Sequence, residues 1–301
     1  GSDCFQMDTG AGSSTIPNYD SGFPVDFTLQ NSPVTGNNWR LMTRLTGSKQ
    51  LRTNDATAES TYAAAGKFDS NVGYSEDADG SGSQSWMWSR GQGFDCICYK
   101  GDGVSGRQIA HGLGPNNVPE MLWLKNRSSS SHNWMCYHKG LNGGTNPEDY
   151  FLRLNTTDAE GSSSTYLNST APTSTHITLG SINAINADGN DYIAMLFAST
   201  DVSAVGSYTG DTNSEKTITV GFQPRFILIR AASISFDWHV FDTLRGMTGS
   251  GNDARLYLNT NDAQNSDDNY ITGLSSTGFT VGSPGQGLNG NNVKYIYYCH
   301  A

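Results

Sequence analysis

The chain has 301 residues, a formal net charge of −10, and only 15% charged residues against 35 glycines. With no basic run anywhere, that balance excludes nucleic acid or an anionic membrane surface as the main partner, because binding phosphates takes clustered Lys and Arg. No apolar stretch approaches the roughly 20 residues of a membrane span, which excludes membrane insertion by a helix.

Aromatics at 11% argue against disorder, and abundant Gly, Ser, Thr and Asn in place of helix formers predict a turn-rich β protein. In chain order, CFQMDTG (4–10) reads as a strand running into a Gly turn. GFPVDFTLQN (22–31) reads as a Pro turn and an apolar strand. NNWRLMT (37–43) carries a Trp preceded by Asn. QLRTNDAT (50–57), VGYSE (72–76), the turn DADGSG (77–82) and a closing strand SQSWMWS (83–89) follow. The same series then restarts with FDCICYKG (94–101), NVPEMLWLKN (117–126), HNWMCYH (132–138), RLNTTDAE (153–160), HITLG (176–180), NADGND (186–191) and YIAMLFA (192–198). It restarts again with VGSYTG (205–210), GFQPRFILIR (221–230), FDWHVFD (236–242), YLNTNDAQ (257–264), GFTVG (278–282), NGNN (289–292) and YIYYCHA (295–301). Asp55, Asp158 and Asp262 recur about a hundred residues apart, too long a period for a solenoid or propeller and right for whole domains.

Short strands rich in Val, Ile, Tyr, Phe and Trp between Gly, Asn and Asp turns predict an all-β fold. The expectation is three tandem homologous β-sandwich-like domains over residues 1–90, 91–202 and 203–301, each burying its own core. YIAMLFA and ILIR lack strict alternation, as expected of central strands covered on both faces. Only TDAEGSSSTYLN and its counterparts are expected to hold a short helix, with Thr or Asn as cap. Trp39, Trp134 and Trp238 and the three aspartates are read as structural, the Trp anchoring a core and the Asp satisfying turn amides.

No catalytic constellation is visible. His111, His132, His138, His176, His239 and His300 form no HExxH, sit beside no GxSxG, and do not recur between copies. The loops DADGSG and NADGND lack the full calcium-loop spacing with its closing Glu. The five cysteines are an odd set, read as free thiols acting as small buried hydrophobes, with Cys96 and Cys98 on one strand face. No enzyme activity, metal or cofactor is expected. Differences between copies are more informative. The connection after the Trp strand is longer in the second copy (LNGGTNPEDY, 141–150) and the third (GMTGSGNDAR, 246–255) than in the first. Polar loops on a repeated scaffold are where binding usually resides. The candidate ligand-binding residues are therefore His132, Asn142, Asn146, Glu148, Asp149 and Tyr150, together with Asn252, Asp253 and Arg255.

In the third copy SYTGD, VGFQPRFILIR, DWHVFDTLRG, LYLNTNDA, STGFTVG and YIYYCHA, and in the second HGLG, PEMLWLKNRSSS, NWMCYHKGLN, YFLRLNTTDA and YIAMLFAS, stand in the same order. This series resembles a repeated β-domain of tail fibre and other virion appendage proteins of phages that infect marine bacteria, cyanobacteria among them. The first copy matches more loosely. The resemblance implies a structural, receptor-binding segment of a virion appendage, assembled in the host cytoplasm. Its implied partners are a host cell-surface polysaccharide or protein receptor and other virion proteins. It brings no ligand residues of its own. A homotrimer and a pseudo-threefold monomer both stay open. The alternative is a tandem glycan-binding, lectin-like module of a secreted bacterial protein, which requires a ring-and-amide site in every copy. A fibre-borne depolymerase is a third reading, and it lacks the short-period repeat of a parallel β-helix.

Overall fold

A computed structural model describes residues 4–12, 17–62, 67–75, 82–91, 93–282 and 287–301. The fold is all-β. Each repeat builds one main antiparallel sheet in the same order: first strand, last strand, second strand, third strand. In the first repeat these are Phe5–Thr9, Gln84–Trp88, Phe27–Asn31 and Arg40–Thr43. The second repeat uses Phe94–Lys100, Asp191–Phe197, Met121–Asn126 and Met135–His138, and adds Tyr150–Arg153 and Gly161–Ser162 at the edge. The third uses Ser203–Thr209, Lys294–His300, Phe226–Ala231 and His239–Asp242, with Leu256–Tyr257 outermost. A small outer sheet lies over each, such as Arg107–Ala110 paired with His176–Leu179 in the second repeat.

The central strands are apolar without alternation because both of their faces are covered. In the second repeat, Leu122, Leu124 and Leu196 pack outward against Ile177 and Leu179 of the small sheet. Trp123, Met195 and Phe197 point the other way, into one cluster that all three repeats share. Ring contacts cross every boundary of that cluster: Phe27 to Phe94 at 5.2 Å, Phe197 to Tyr298 at 4.9 Å, and Trp88 to Phe226 at 5.8 Å. The copies are therefore not independent in their packing. Each repeat has an outer core of its own, but the largest core belongs to all three.

The repeats close into a ring through bonds made at equivalent positions. The Trp39 indole Nε1–H donates to the carbonyl of Tyr257 (2.8 Å), that of Trp134 to Arg52 (2.7 Å), and that of Trp238 to Arg153 (3.0 Å). Each Trp thus reaches the neighbouring repeat: first to third, second to first, third to second. A backbone bond returns across each junction, from Gln264 N–H to Pro33 O, from Glu59 N–H to Arg127 O, and from Glu160 N–H to Ala232 O. The three copies are one pseudo-threefold body. At the first junction a Cβ on Gly36, at φ +68°, would fall 2.6 Å from the Ala263 amide nitrogen, so that contact requires glycine.

The recurring Asp, in contrast, is not one position. Leu41 bridges Leu51, Cys136 pairs with Leu152, and Val240 pairs with Leu256, which sets Leu51 against Leu152 and Leu256. The match by letters sets Leu51 against Leu154 and Leu258, a slip of two residues. A slip of two leaves every side chain on its original face, so the apolar pattern hides it. The residue shared in space is Asn54, Asn155 or Asn259. Its Oδ1 accepts the backbone N–H of Trp39, Trp134 or Trp238 at 3.0, 3.0 and 2.8 Å. Its Nδ2 donates to the side chain of Asn38, Asn133 or Asp237, the residue before each Trp. Asp55 consequently occupies the place of Thr156 and Thr260. It accepts the Thr57 amide through its carboxylate, just as those hydroxyls accept the amides of Asp158 and Asp262.

Two further expectations differ from the structure. TDAEGSSSTYLN contains no helix but a short strand, Gly161–Ser162, followed by turns. Gly161 lies opposite Phe151, and a Cβ there would meet the Phe151 ring at 2.8 Å. Cys96 is buried but Cys98 is exposed, because their strand is an edge strand that runs outward past the shared core. The turn DADGSG falls outside the described residues apart from Gly82.

Candidate functional site

The long connection of the second repeat leaves His138 and returns at Tyr150, at the opposite end of the strand from Trp134. It starts with Leu141, which is fully buried in the shared core, and ends with Tyr150, packed half-buried against the same core. Two single-turn 3-10 segments, Leu141–Gly144 and Pro147–Asp149, lie between them. Asn142 and Asn146 take left-handed backbone conformations (φ 51° and 44°). The amide N–H of Asn142 donates to the Glu160 carboxylate at 2.7 Å, and its Nδ2 donates to Thr145 O at 2.7 Å. Ser169, also left-handed, donates its hydroxyl to Asp149 Oδ1 at 2.6 Å. Three of the six described non-glycine residues at positive φ thus build or brace this loop. Backbone strain of that kind gathers at functional sites, and here the cross-links just named hold it in place.

The loop and the short strand beside it enclose an open cleft of about 490 Å³. Asn142, Asn146, Asp149 and Tyr150 line one wall, and Ser162, Ser163 and Ser164 line the other. Strand pairing of Tyr150 with Ser162 sets the two walls at a fixed spacing. Chemically the cleft offers side-chain amides, hydroxyls, one carboxylate and one aromatic ring. That set can pair with the hydroxyls of a polar ligand and stack on its apolar face. Ser162, Ser163 and Ser164 are absent from the sequence-derived set. A run of serines beside a glycine gives no signal until the strand pairing brings it to the loop.

The other predicted residues are placed elsewhere. Glu148 lies on the 3-10 turn but does not line the cleft. His132 lies before Trp134, at the far end of the sheet, and is not brought together with Asn142 or Asn146. In the third repeat, the equivalent loop is used by the fold. Asp253 is fully buried, and its Oδ2 accepts the amides of Tyr270 (2.8 Å) and Ile271 (2.7 Å). Burial pushes its carboxyl up to about 6. The Arg255 guanidinium sits 4.7 Å from the centres of both the Tyr257 and Tyr270 rings. Asp253 is thus engaged by the fold, Arg255 is half-buried against the two rings, and of that trio only Asn252 is exposed. Trp39, Trp134 and Trp238 are buried and committed to their neighbours' carbonyls, so none presents a ring to a ligand.

Residues 45–301 match the sequence profile of a family described as a domain of unknown function, DUF7483. No curated protein matches the chain.

Proposed function

The chain belongs to the DUF7483 family, and we propose that it is a segment of a phage tail fibre or other virion appendage that adheres to the host cell surface. The observation that carries this reading is the division of labour between the repeats. Three copies share one core and close a ring, which makes a stiff block, and an open polar cleft stands on the long loop of the second repeat, whose counterpart in the third buries Asp253 instead. Adhesion needs a rigid support under an adaptable polar surface, and this arrangement supplies both. The resemblance to marine phage appendage proteins points the same way, and the partner it implies is a surface polysaccharide or protein receptor.

A tandem lectin-like module is the weaker reading. It requires a ring-and-amide site in each copy, and the recurring Trp is buried at ring junctions instead. The test is binding of the fluorescently labelled chain to cells of candidate marine bacterial hosts, with their extracted surface polysaccharide as competitor. Saturable, strain-restricted binding supports adhesion. Absence of binding to every strain that the parent phage infects would leave a structural spacer as the better account.

A further inference from the structure

The cleft of the second repeat also carries information about what it accepts. Its seven lining residues include one charged group, Asp149, and no cation. Lys294 packs behind Gly143, with its Nζ 3.0 Å from where a Gly143 Cβ would stand, but it lines no part of the cleft. Lys139 is paired to Glu120 at 2.6 Å. Glu148 and Glu160 flank the loop, and the net charge of the chain is −10. At contact distance a ligand in this cleft meets the Asp149 carboxylate and no cation from the lining. A carboxylate or sulfate group would lose its hydration there without gaining a cation in return.

Neutral hydroxyls fare differently. The Asp149 carboxylate, the Asn146 amide and the Ser162 and Ser164 hydroxyls of the lining offer both acceptors and donors. The exposed part of the Tyr150 ring offers the flat apolar surface on which a sugar's C–H face rests. We infer that the cleft takes an uncharged, hydroxyl-rich saccharide unit and turns away anionic polysaccharide. The inference rests on the adhesion reading above, and specifies the ligand class for the same site.

The test uses the full chain in titration calorimetry. The probes are neutral oligosaccharides (glucan, mannan and galactan fragments and their N-acetylhexosamine counterparts), with uronic-acid and sulfated oligomers of the same length beside them. At least one neutral probe is expected to bind, and no acidic one. Asn146→Gly keeps the left-handed backbone without strain and removes only the amide side chain. It is expected to weaken neutral binding about tenfold, the effect of a lost hydrogen bond of about 1.4 kcal/mol, with the melting temperature unchanged. Asp149→Lys, which puts a cation in place of the carboxylate, is expected to admit the uronic-acid oligomers. Binding of acidic oligomers alone, or neutral binding untouched by Asn146→Gly, overturns the inference. Cell binding that only the acidic polysaccharide fraction displaces overturns the ligand class and leaves adhesion standing. Neutral saccharide binding without binding to any host strain does the reverse. If neither saccharides nor cells bind, both readings fall.

Discussion

Replacing Trp134 with phenylalanine tests whether the three repeats stand or fall together. The indole N–H of Trp134 donates to the Arg52 carbonyl at 2.7 Å, across the junction between the second and first repeats. Phenylalanine keeps most of the buried ring and removes that donor. Leaving the carbonyl unpaired costs about 1–2 kcal/mol, because Arg52 is half-buried and water can reach part of the lost bond. The smaller ring leaves a void worth about 1 kcal/mol more. The sum is about 2–3 kcal/mol out of a total stability on the order of 5–15 kcal/mol. With an unfolding entropy of about 2 cal/mol/K per residue, the melting temperature should fall by about 3–5 °C. The assay is calorimetric and urea-induced unfolding of the chain and its variant. Because the core is shared, one cooperative transition is expected, and the variant should shift all of it. Trp39→Phe and Trp238→Phe should give matching shifts, since they make the same bond at the other two junctions. Two or three separable transitions, with only one of them moved by the variant, would refute the shared-core ring.

Arg230 is fully buried, donates to the carbonyls of Arg153 and Thr156 at 2.9 Å and to that of Asp158, and stacks 5.0 Å from the Trp238 ring. Arg230→Ala strands these carbonyls between the third and second repeats and should cost about 2–4 kcal/mol in urea unfolding, from the acceptors left unpaired. The pH dependence of stability should have two opposed parts. Burial holds His138, His239 and His300 down to about 4, 3 and 4, below the ordinary value of about 6.5. Their contribution is therefore present above about pH 6.5 and lost as the pH falls through 4, by several kcal/mol in all. Asp253, pushed up to about 6, acts oppositely: its contribution is full below about pH 4 and lost as the pH rises through 6, by about 2–3 kcal/mol at most. Denaturation midpoints between pH 4 and 7 should thus rise more steeply for Asp253→Asn than for the parent chain. With Cys96, Cys136 and Cys299 buried and Cys4 half-buried, a small thiol reagent should label Cys98 first in the native chain and all five thiols in denaturant.

The all-β class and the three copies were legible because strand patterning and turn chemistry are local signals. Trp39, Trp134 and Trp238 could be seen to recur, but not to bind neighbouring repeats, since a bond to a backbone carbonyl leaves no trace in the accepting residue's identity. The Asp alignment failed for a related reason: a two-residue slip preserves the strand period, and only the cross-strand pairing of Leu51, Leu152 and Leu256 exposes it. Of the candidate loop residues, Asn142, Asn146, Asp149 and Tyr150 converge on the cleft. Asp253 has the same composition-level signal and is consumed by two buried backbone amides. Polarity and loop length do not separate a residue that faces solvent from one that satisfies a turn.

Host contact belongs to the cleft of the second repeat and not to the equivalent loop of the third, and cell binding by two matched variants tests that most directly. Asn146→Gly alters the cleft of the second repeat, and Asn252→Gly alters the exposed tip of the equivalent loop in the third. On a host strain that binds the parent chain, Asn146→Gly should lose about tenfold in affinity, and Asn252→Gly should bind as the parent does. Undiminished binding by Asn146→Gly, or a loss confined to Asn252→Gly, would contradict it.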